Sequence, residues 1–189
     1  MGRIARVILA GALLGALAAT TPAIPADFAD ERSRMVKAIA EQTENVAPVT
    51  DVREIDTRIL DAMQRVPRHR FVPAQLRRYA YLATPLPLGH GQNIASPYIV
   101  ALMTHLADVQ ADTSVFETGT GAGYHAAVLA ELGANVVSVE VVPDVANRAR
   151  RNLVETDHAE VETHIGDGYY GWAEGGPYDA MLIKEALDH

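Results

Sequence analysis

With 189 residues, 49% of them hydrophobic, the chain is long enough for one domain with a proper core and too apolar to be disordered. Its formal net charge of −8 argues against general nucleic-acid binding, which normally leaves a basic surface. The absence of cysteine excludes disulfides, cysteine-ligated zinc, a thiol nucleophile and a lipid-modified N-terminal cysteine.

Arg3 and Arg6 lead into an uninterrupted apolar and small-residue run, Val7 to Ala19. TTPAIPA follows, with small residues suited to cleavage after Ala23 or Ala26. This is the layout of a secretory signal peptide. The run is shorter than the roughly 20 residues that a spanning helix needs. Residues 1–26 are therefore expected to be a leader, with a periplasmic or secreted location and no stable membrane span after cleavage. An uncleaved inner-membrane anchor and a mis-set start codon in a cytoplasmic protein are the competing readings.

Glu31 to Glu44 reads as a helix. A second helix is expected to take Asp56 as its N-cap and run to Val66, with Ile59, Leu60, Met63 and Val66 at helical spacing. VPRHRFVP breaks the chain with two prolines, and Arg77 to Tyr81 is a short aromatic-rich piece. Thr84 to Pro97 (TPLPLGHGQNIASP) reads as a long loop or irregular extended segment, and Tyr98 to Ala107 as a helix. The arginines Arg53, Arg58, Arg65, Arg68, Arg70, Arg77 and Arg78 interleave with Asp51, Glu54, Asp56 and Asp61, a pattern expected of a salt-bridged helical face.

From Ser114 the pattern changes to strand–helix alternation. Strands are expected around Val115 and Phe116, over Asn135–Glu140, Val161–Ile165 and Tyr178–Ile183. Helices are expected over Gly123–Leu132 and from Pro143, which suits a first helical turn, to Glu155. Such alternation predicts an α/β fold, a parallel sheet with flanking helices, whose ligands lie beyond the carboxyl ends of the strands. The domain plan is thus 27–110, helical with a substrate loop, and 111–189, a cofactor-binding α/β part.

In VFETGTGAGYHAAVLA, Gly119, Gly121 and Gly123 fall at every second position after a strand and open a helix. A glycine turn there lets a ligand approach the backbone. Glu140 lies about 20 residues on, at the end of the second of these strands, where an acid can accept both ribose hydroxyls. The spacing is Gly-x-Gly-x-Gly and not the dinucleotide Gly-x-Gly-x-x-Gly. Glu117 would repel a pyrophosphate on this turn and attract a ligand with an ammonium and a sulfonium and no phosphate. S-adenosylmethionine is that ligand. Asp167, in IGDG after the third strand, could accept from the adenine amino group, with Gly166 and Gly168 letting the chain pass close to the base. A nicotinamide-dependent oxidoreductase is the alternative that the glycine spacing and Glu117 disfavour.

DAMQRVPRHRFVP, Ala80–Tyr81, PLPLGHGQNIASPYIVALM, FETGTGAGYHAAVLAEL and GDGYYGW together resemble the protein-L-isoaspartate O-methyltransferase family, from about Met35 to His189. The resemblance implies a Rossmann-like methyltransferase sheet and S-adenosylmethionine as donor. It also implies an isoaspartyl carboxylate of a damaged protein as acceptor, and protein repair as the role. A carboxylate, which ordinarily titrates near pH ~4, is ionised at neutrality and needs no general base. Positioning and water exclusion would then be the enzyme's main work. The loop Gly91 to Tyr98 would be the clamp on the peptide.

The chain departs from the family at three places. The family has Thr-Ile-Ser after Gly-Gln, with the serine at the active site; here Asn93, Ile94 and Ala95 follow, and Ser96 is displaced by one. Thr118 stands for an isoleucine of the glycine motif, and Lys184 and Glu185 stand where small residues are usual. Asn93, Ala95 and Ser96 are the candidate catalytic positions. The related fold continues for three more strands, so the chain is expected to be a fragment, with the strand order 3-2-1-4 and the fourth strand as an edge. A monomer is expected, binding isoaspartyl peptides and no nucleic acid. A non-catalytic or re-targeted S-adenosylmethionine-binding protein remains an alternative. The seven histidines show no metal-ligand spacing. His90 and His125 flank the expected pocket and are read as packing or hydrogen-bonding groups. Trp172, Tyr169 and Tyr170 are expected either near the adenine or in the core.

Overall fold

A computed structural model describes residues 28–184; the expected leader lies outside the described residues. Helix α1 spans Ala29–Thr50 and α2 spans Thr57–Arg65. Short 3-10 turns at Arg68–Phe71 and Ala74–Tyr79 lead to strands β1 (Leu86–Gly89) and β2 (Gln92–Ile94), then α3 (Pro97–Leu106). The second half runs β3 (Ser114–Thr118), α4 (Tyr124–Glu131), β4 (Asn135–Glu140), α5 (Pro143–Glu155), β5 (Glu162–Ile165) and β6 (Ala180–Ile183). No described helix is long and apolar enough to cross a membrane.

β3 to β6 form a parallel sheet in the order β5-β4-β3-β6, the order expected from the sequence. The pleat gives this sheet two faces. Val115, Val136 and Leu182 face the main core with helices α1 to α4, while Phe116, Val137 and Val139 face a smaller cluster covered by Trp172 and Tyr178. Trp172 also stacks on His164 with ring centroids 3.7 Å apart, so it packs on the sheet. Tyr169 and Tyr170 are exposed.

The first half departs more from expectation. α1 continues to Thr50, past the expected end at Glu44, and takes Pro48 inside it. Pro48 falls in the last turn, where its missing N–H costs one bond of the ladder, and Val46 gains a place against the core. Asp56 caps α2 as expected, accepting from the Arg58 amide at 2.8 Å. Thr84–Pro97 is not irregular: Leu86 pairs with Ile94 and Pro87 with Asn93 in an antiparallel hairpin. The turn works because His90 and two glycines adopt positive φ, at 89° for Gly89 and 74° for Gly91.

The arginine face also needs correction. Among the described residues, Arg58 pairs with an interleaved acid, Asp56, while Arg65 and Arg70 reach Glu131 at the end of α4 and Glu155 at the end of α5. Arg68 is fully buried and bonds carbonyls instead. The pattern misleads because the acids of a neighbouring helix are nearer in space than those next in sequence.

Gly168 marks another reassignment. A Cβ there would lie 2.7 Å from Thr118 Cγ2, so its close neighbour is the end of β3. Gly168→Ala is expected to cost about 1–3 kcal/mol through overpacking. Thermal melting should show a smaller cost in a Thr118→Gly background, where both the opposing methyl and the Cβ at 2.8 Å are gone.

Candidate functional site

The parallel register sets charged groups side by side at the carboxyl end of the sheet. Following the strand order, Asp167 comes after β5, Glu140 ends β4, Glu117 lies in β3 and Lys184 follows β6. Glu117 is opposite Ser138 in one ladder and Leu182 in the other, and strand alternation puts Lys184 on the same face as Leu182. Two cross-strand contacts result. Ser138 Oγ donates to Glu117 Oε2 at 2.5 Å, and Lys184 Nζ donates to Glu117 Oε1 at 2.7 Å. Glu117 itself has no solvent-exposed surface.

The glycine turn lies against the end of β4. Gly119 and Thr120 donate their amides to the Val139 carbonyl, at 2.8 and 3.2 Å. Gly121 has φ 58° and donates its amide to Glu140 Oε2 at 2.9 Å, while the Val142 amide donates to Oε1 at 3.0 Å. Glu140 thus ties the turn after β3 to the turn after β4 and keeps one lone pair on each oxygen. Gly121 suits its place because a side chain at this φ would be strained, although a Cβ would meet only ordinary contacts there.

A cavity of about 300 Å³ lies between the hairpin and this turn. Asn93 and Ala95 line it from the hairpin, Gly119 and Gly121 from the turn, and His125 and Lys184 from the far side. Two arginines fix the hairpin wall: Arg148 Nη1 donates to the Leu88 carbonyl at 2.6 Å, and Arg68 Nη2 to that of Ala95 at 2.7 Å.

The sequence-derived set is only partly gathered in this cavity. Asn93, Ala95, Gly119 and Gly121 line it; Glu117 lies behind Lys184, and Glu140 touches it through the Gly121 amide. Ser96 is turned away to cap α3, accepting from the Ile99 amide at 3.5 Å. Asp167 is exposed and caps the short turn Gly168–Tyr170 through the Tyr169 amide. His90 is exposed at the hairpin turn and lies outside the cavity. Among the described residues, no group of His, Asp and Glu could hold a metal ion.

His125 hydrogen-bonds, as expected. Thr104 Oγ1 donates to the Val100 carbonyl at 2.8 Å, so it accepts from His125 Nε2–H at 2.9 Å. The other ring nitrogen, Nδ1, is then a bare acceptor, buried and without a hydrogen-bond partner, 3.8 Å from Glu117 Oε1. Burial, and next the Lys184 ammonium, hold His125 well below the usual imidazole pKa, so the ring is neutral. The corner formed by Glu117 and Nδ1 suits a cation that brings N–H donors.

A depressed histidine pKa means that the unfolded chain binds more protons between the two values, so stability falls as pH drops. Burial, followed by nearby arginines, also pushes His69 down, to about 4. Stability should therefore decline as pH falls below about 6.5, by at most about 1.4 kcal/mol per pH unit for each histidine. Partly exposed His69 should contribute less. Urea titrations from neutral to mildly acidic pH should give a shallower decline for His125→Asn than for the parent.

Residues 42–189 match the family model for protein-L-isoaspartate(D-aspartate) O-methyltransferase. The chain is 42% identical over 158 residues to protein-L-isoaspartate O-methyltransferase 2 of Syntrophobacter fumaroxidans, covering 84% of this chain and 64% of that protein. It is 54% identical over 133 residues to the Opitutus terrae protein-L-isoaspartate O-methyltransferase, covering 70% of this chain and 57% of the relative. A solved protein-L-isoaspartate O-methyltransferase superposes with a TM-score of 0.68 at 26% identity, over 80% of this chain and 47% of that one. A Plasmodium falciparum structure in complex with S-adenosyl-L-homocysteine superposes at 0.61 and 20% identity, over 78% and 72% of the two chains, a likeness of fold alone. The chain spans less than two thirds of the length of these curated relatives.

Proposed function

The chain belongs to the protein-L-isoaspartate O-methyltransferase family, and from that premise we propose that it transfers a methyl group from S-adenosylmethionine to the carboxylate of isoaspartyl residues in damaged proteins. The observation that carries the donor assignment is the corner where Glu117 and the bare His125 Nδ1 meet beside the glycine turn. It asks for a compact cation whose charge and N–H donors sit on one atom, which an α-ammonium group supplies; a nicotinamide dinucleotide has no ammonium. Glu117 would hold the ammonium and the turn Gly119–Gly121 would allow backbone approach. Glu140 would accept the ribose hydroxyls with its free lone pairs, and Asp167 would accept from the adenine amino group. The bound donor would supply an electrophilic methyl on a cationic sulfur.

The hairpin is the acceptor's side of the cavity. The acceptor carboxylate is already ionised, so this chain's residues need to orient it and exclude water. Asn93 carries an amide donor for that carboxylate. Ser96 is engaged as a helix cap, so a hydroxyl absent at Ala95 is not replaced from the next position. A positioning bond to a charged group is worth roughly 1.5–3 kcal/mol, about 10- to 200-fold in rate if felt fully in the transition state. A slow or re-targeted carboxyl methyltransferase is the resulting expectation.

Calorimetry with S-adenosylmethionine, its demethylated product and NAD tests the donor, and a labelled donor with an isoaspartyl peptide tests the reaction. Binding of NAD in place of the first two compounds would overturn the reading. Ala95→Ser should raise methyl transfer and Asn93→Ala should lower it. A second reading, a donor-binding protein without turnover, would be favoured by tight binding with no transfer in either the parent or Ala95→Ser.

A further inference from the structure

Lys184 has no place in the function just proposed, yet its ammonium holds the oxygen of Glu117 that an incoming ligand would need. Oε2 of Glu117 is taken by Ser138, and Oε1 by Lys184 at 2.7 Å. Glu117 is sealed from solvent, whereas Lys184 lines the cavity and its side chain is 15% exposed. A ligand entering between the hairpin and the glycine turn therefore meets Lys184 before it meets the carboxylate. Among the described residues, the groups beside Nζ are the Glu117 carboxylate and the neutral His125 ring, 3.8 Å from that carboxylate, so this one carboxylate has two claimants.

We propose that Lys184 is a tethered competitor for the donor's α-ammonium group: it occupies Glu117 in the free protein and must leave before a ligand with an amino-acid tail can bind. The inference rests on the donor assignment above. Two ammonium groups on one buried carboxylate repel each other at low dielectric, so exchange is favoured over sharing. The free protein is thus biased against the complete donor and its demethylated product, and indifferent to nucleosides that lack the ammonium. A binding-competent state populated one-tenth of the time weakens apparent affinity about 10-fold. Removing the competitor should return that factor.

The experiment is calorimetry on the parent, Lys184→Met and Lys184→Gln, with S-adenosylhomocysteine and 5′-methylthioadenosine as probes. The two share the adenosine and the thioether, and only the first carries an ammonium. Thermal melts establish that each variant is folded, and Lys184→Gln keeps an amide donor beside the carboxylate should Lys184→Met unfold. The expected result is a gain of about 10-fold or more for S-adenosylhomocysteine, with 5′-methylthioadenosine unchanged. Unchanged or weaker S-adenosylhomocysteine binding relative to 5′-methylthioadenosine overturns the inference and leaves the donor assignment standing. Failure of all three proteins to bind either probe overturns both.

Discussion

Replacing Arg68 by alanine is expected to destabilise the protein by about 3–5 kcal/mol, well beyond an ordinary substitution. The side chain is fully buried. Its Nε donates to the Ala80 carbonyl and its Nη2 to the Ala95 carbonyl, both at 2.7 Å, and the guanidinium lies 4.8 Å from the centre of the Tyr124 ring. Truncation removes the donors and leaves both carbonyls facing an apolar hole. Each unsatisfied acceptor costs roughly 1–3 kcal/mol, and the cavity adds to that. The midpoint of thermal melting should fall by roughly 6–20 °C. Burial lowers the guanidinium pKa to about 10, against a usual value above 12. The cost of holding that charge is present at every pH below about 10 and is relieved only above it. Arg68→Ala should therefore melt lower at all pH values from acidic to neutral, with no change in slope. A variant that melts within a degree or two of the parent would show that neighbouring groups can replace the brace. The consequence reaches the site, because the Ala95 carbonyl belongs to the hairpin wall of the cavity.

Arg68 also shows where reading the sequence runs out. Its bonds join positions 68, 80 and 95, and no local pattern encodes them. Beside Arg65 and Arg70, both of which do pair with carboxylates, it looks like one more surface cation. The α/β half behaves differently. Asn135–Glu140 and Pro143–Glu155 lie where β-branched alternation and an N-terminal proline put them, since buried parallel strands and their helices advertise themselves by composition. The hairpin was hidden because its prolines and glycines read as punctuation, whereas they make a short paired ribbon. Glu117, Glu140 and Asp167 were legible as strand-end acids. Their different surroundings were not: one is sealed behind a lysine, one is clamped by two backbone amides, and one is an exposed cap. The lysine had a signal of its own. Two residues past Leu182, it must fall on the strand face that Glu117 shares.

Glu140→Ala is expected to weaken the binding of adenosine-containing ligands by roughly 2–3 kcal/mol, a factor of about 30 to 150. Two causes would both give that loss, and they can be separated. In one, the carboxylate accepts the ribose hydroxyls directly. In the other, it only holds the Gly121 and Val142 amides and so keeps the glycine turn in place. Adenosine and 2′,3′-dideoxyadenosine form a cycle with the parent and the variant. Direct contact makes the losses non-additive: the parent should prefer adenosine strongly, and Glu140→Ala should lose that preference. A brace alone would leave the preference intact while both affinities fall together. The geometry favours a sum of the two effects, because each oxygen of Glu140 uses one lone pair for a backbone amide and keeps another. Glu140→Gln refines the division. Its amide oxygen can still accept from one backbone N–H, but its NH₂ must face the other donor, so the turn is only half held. An intermediate loss of affinity with a nearly complete loss of the hydroxyl preference would assign the ribose to the charged form of Glu140. Equal affinities of all three proteins for adenosine would remove Glu140 from the site and leave it a structural link between two turns.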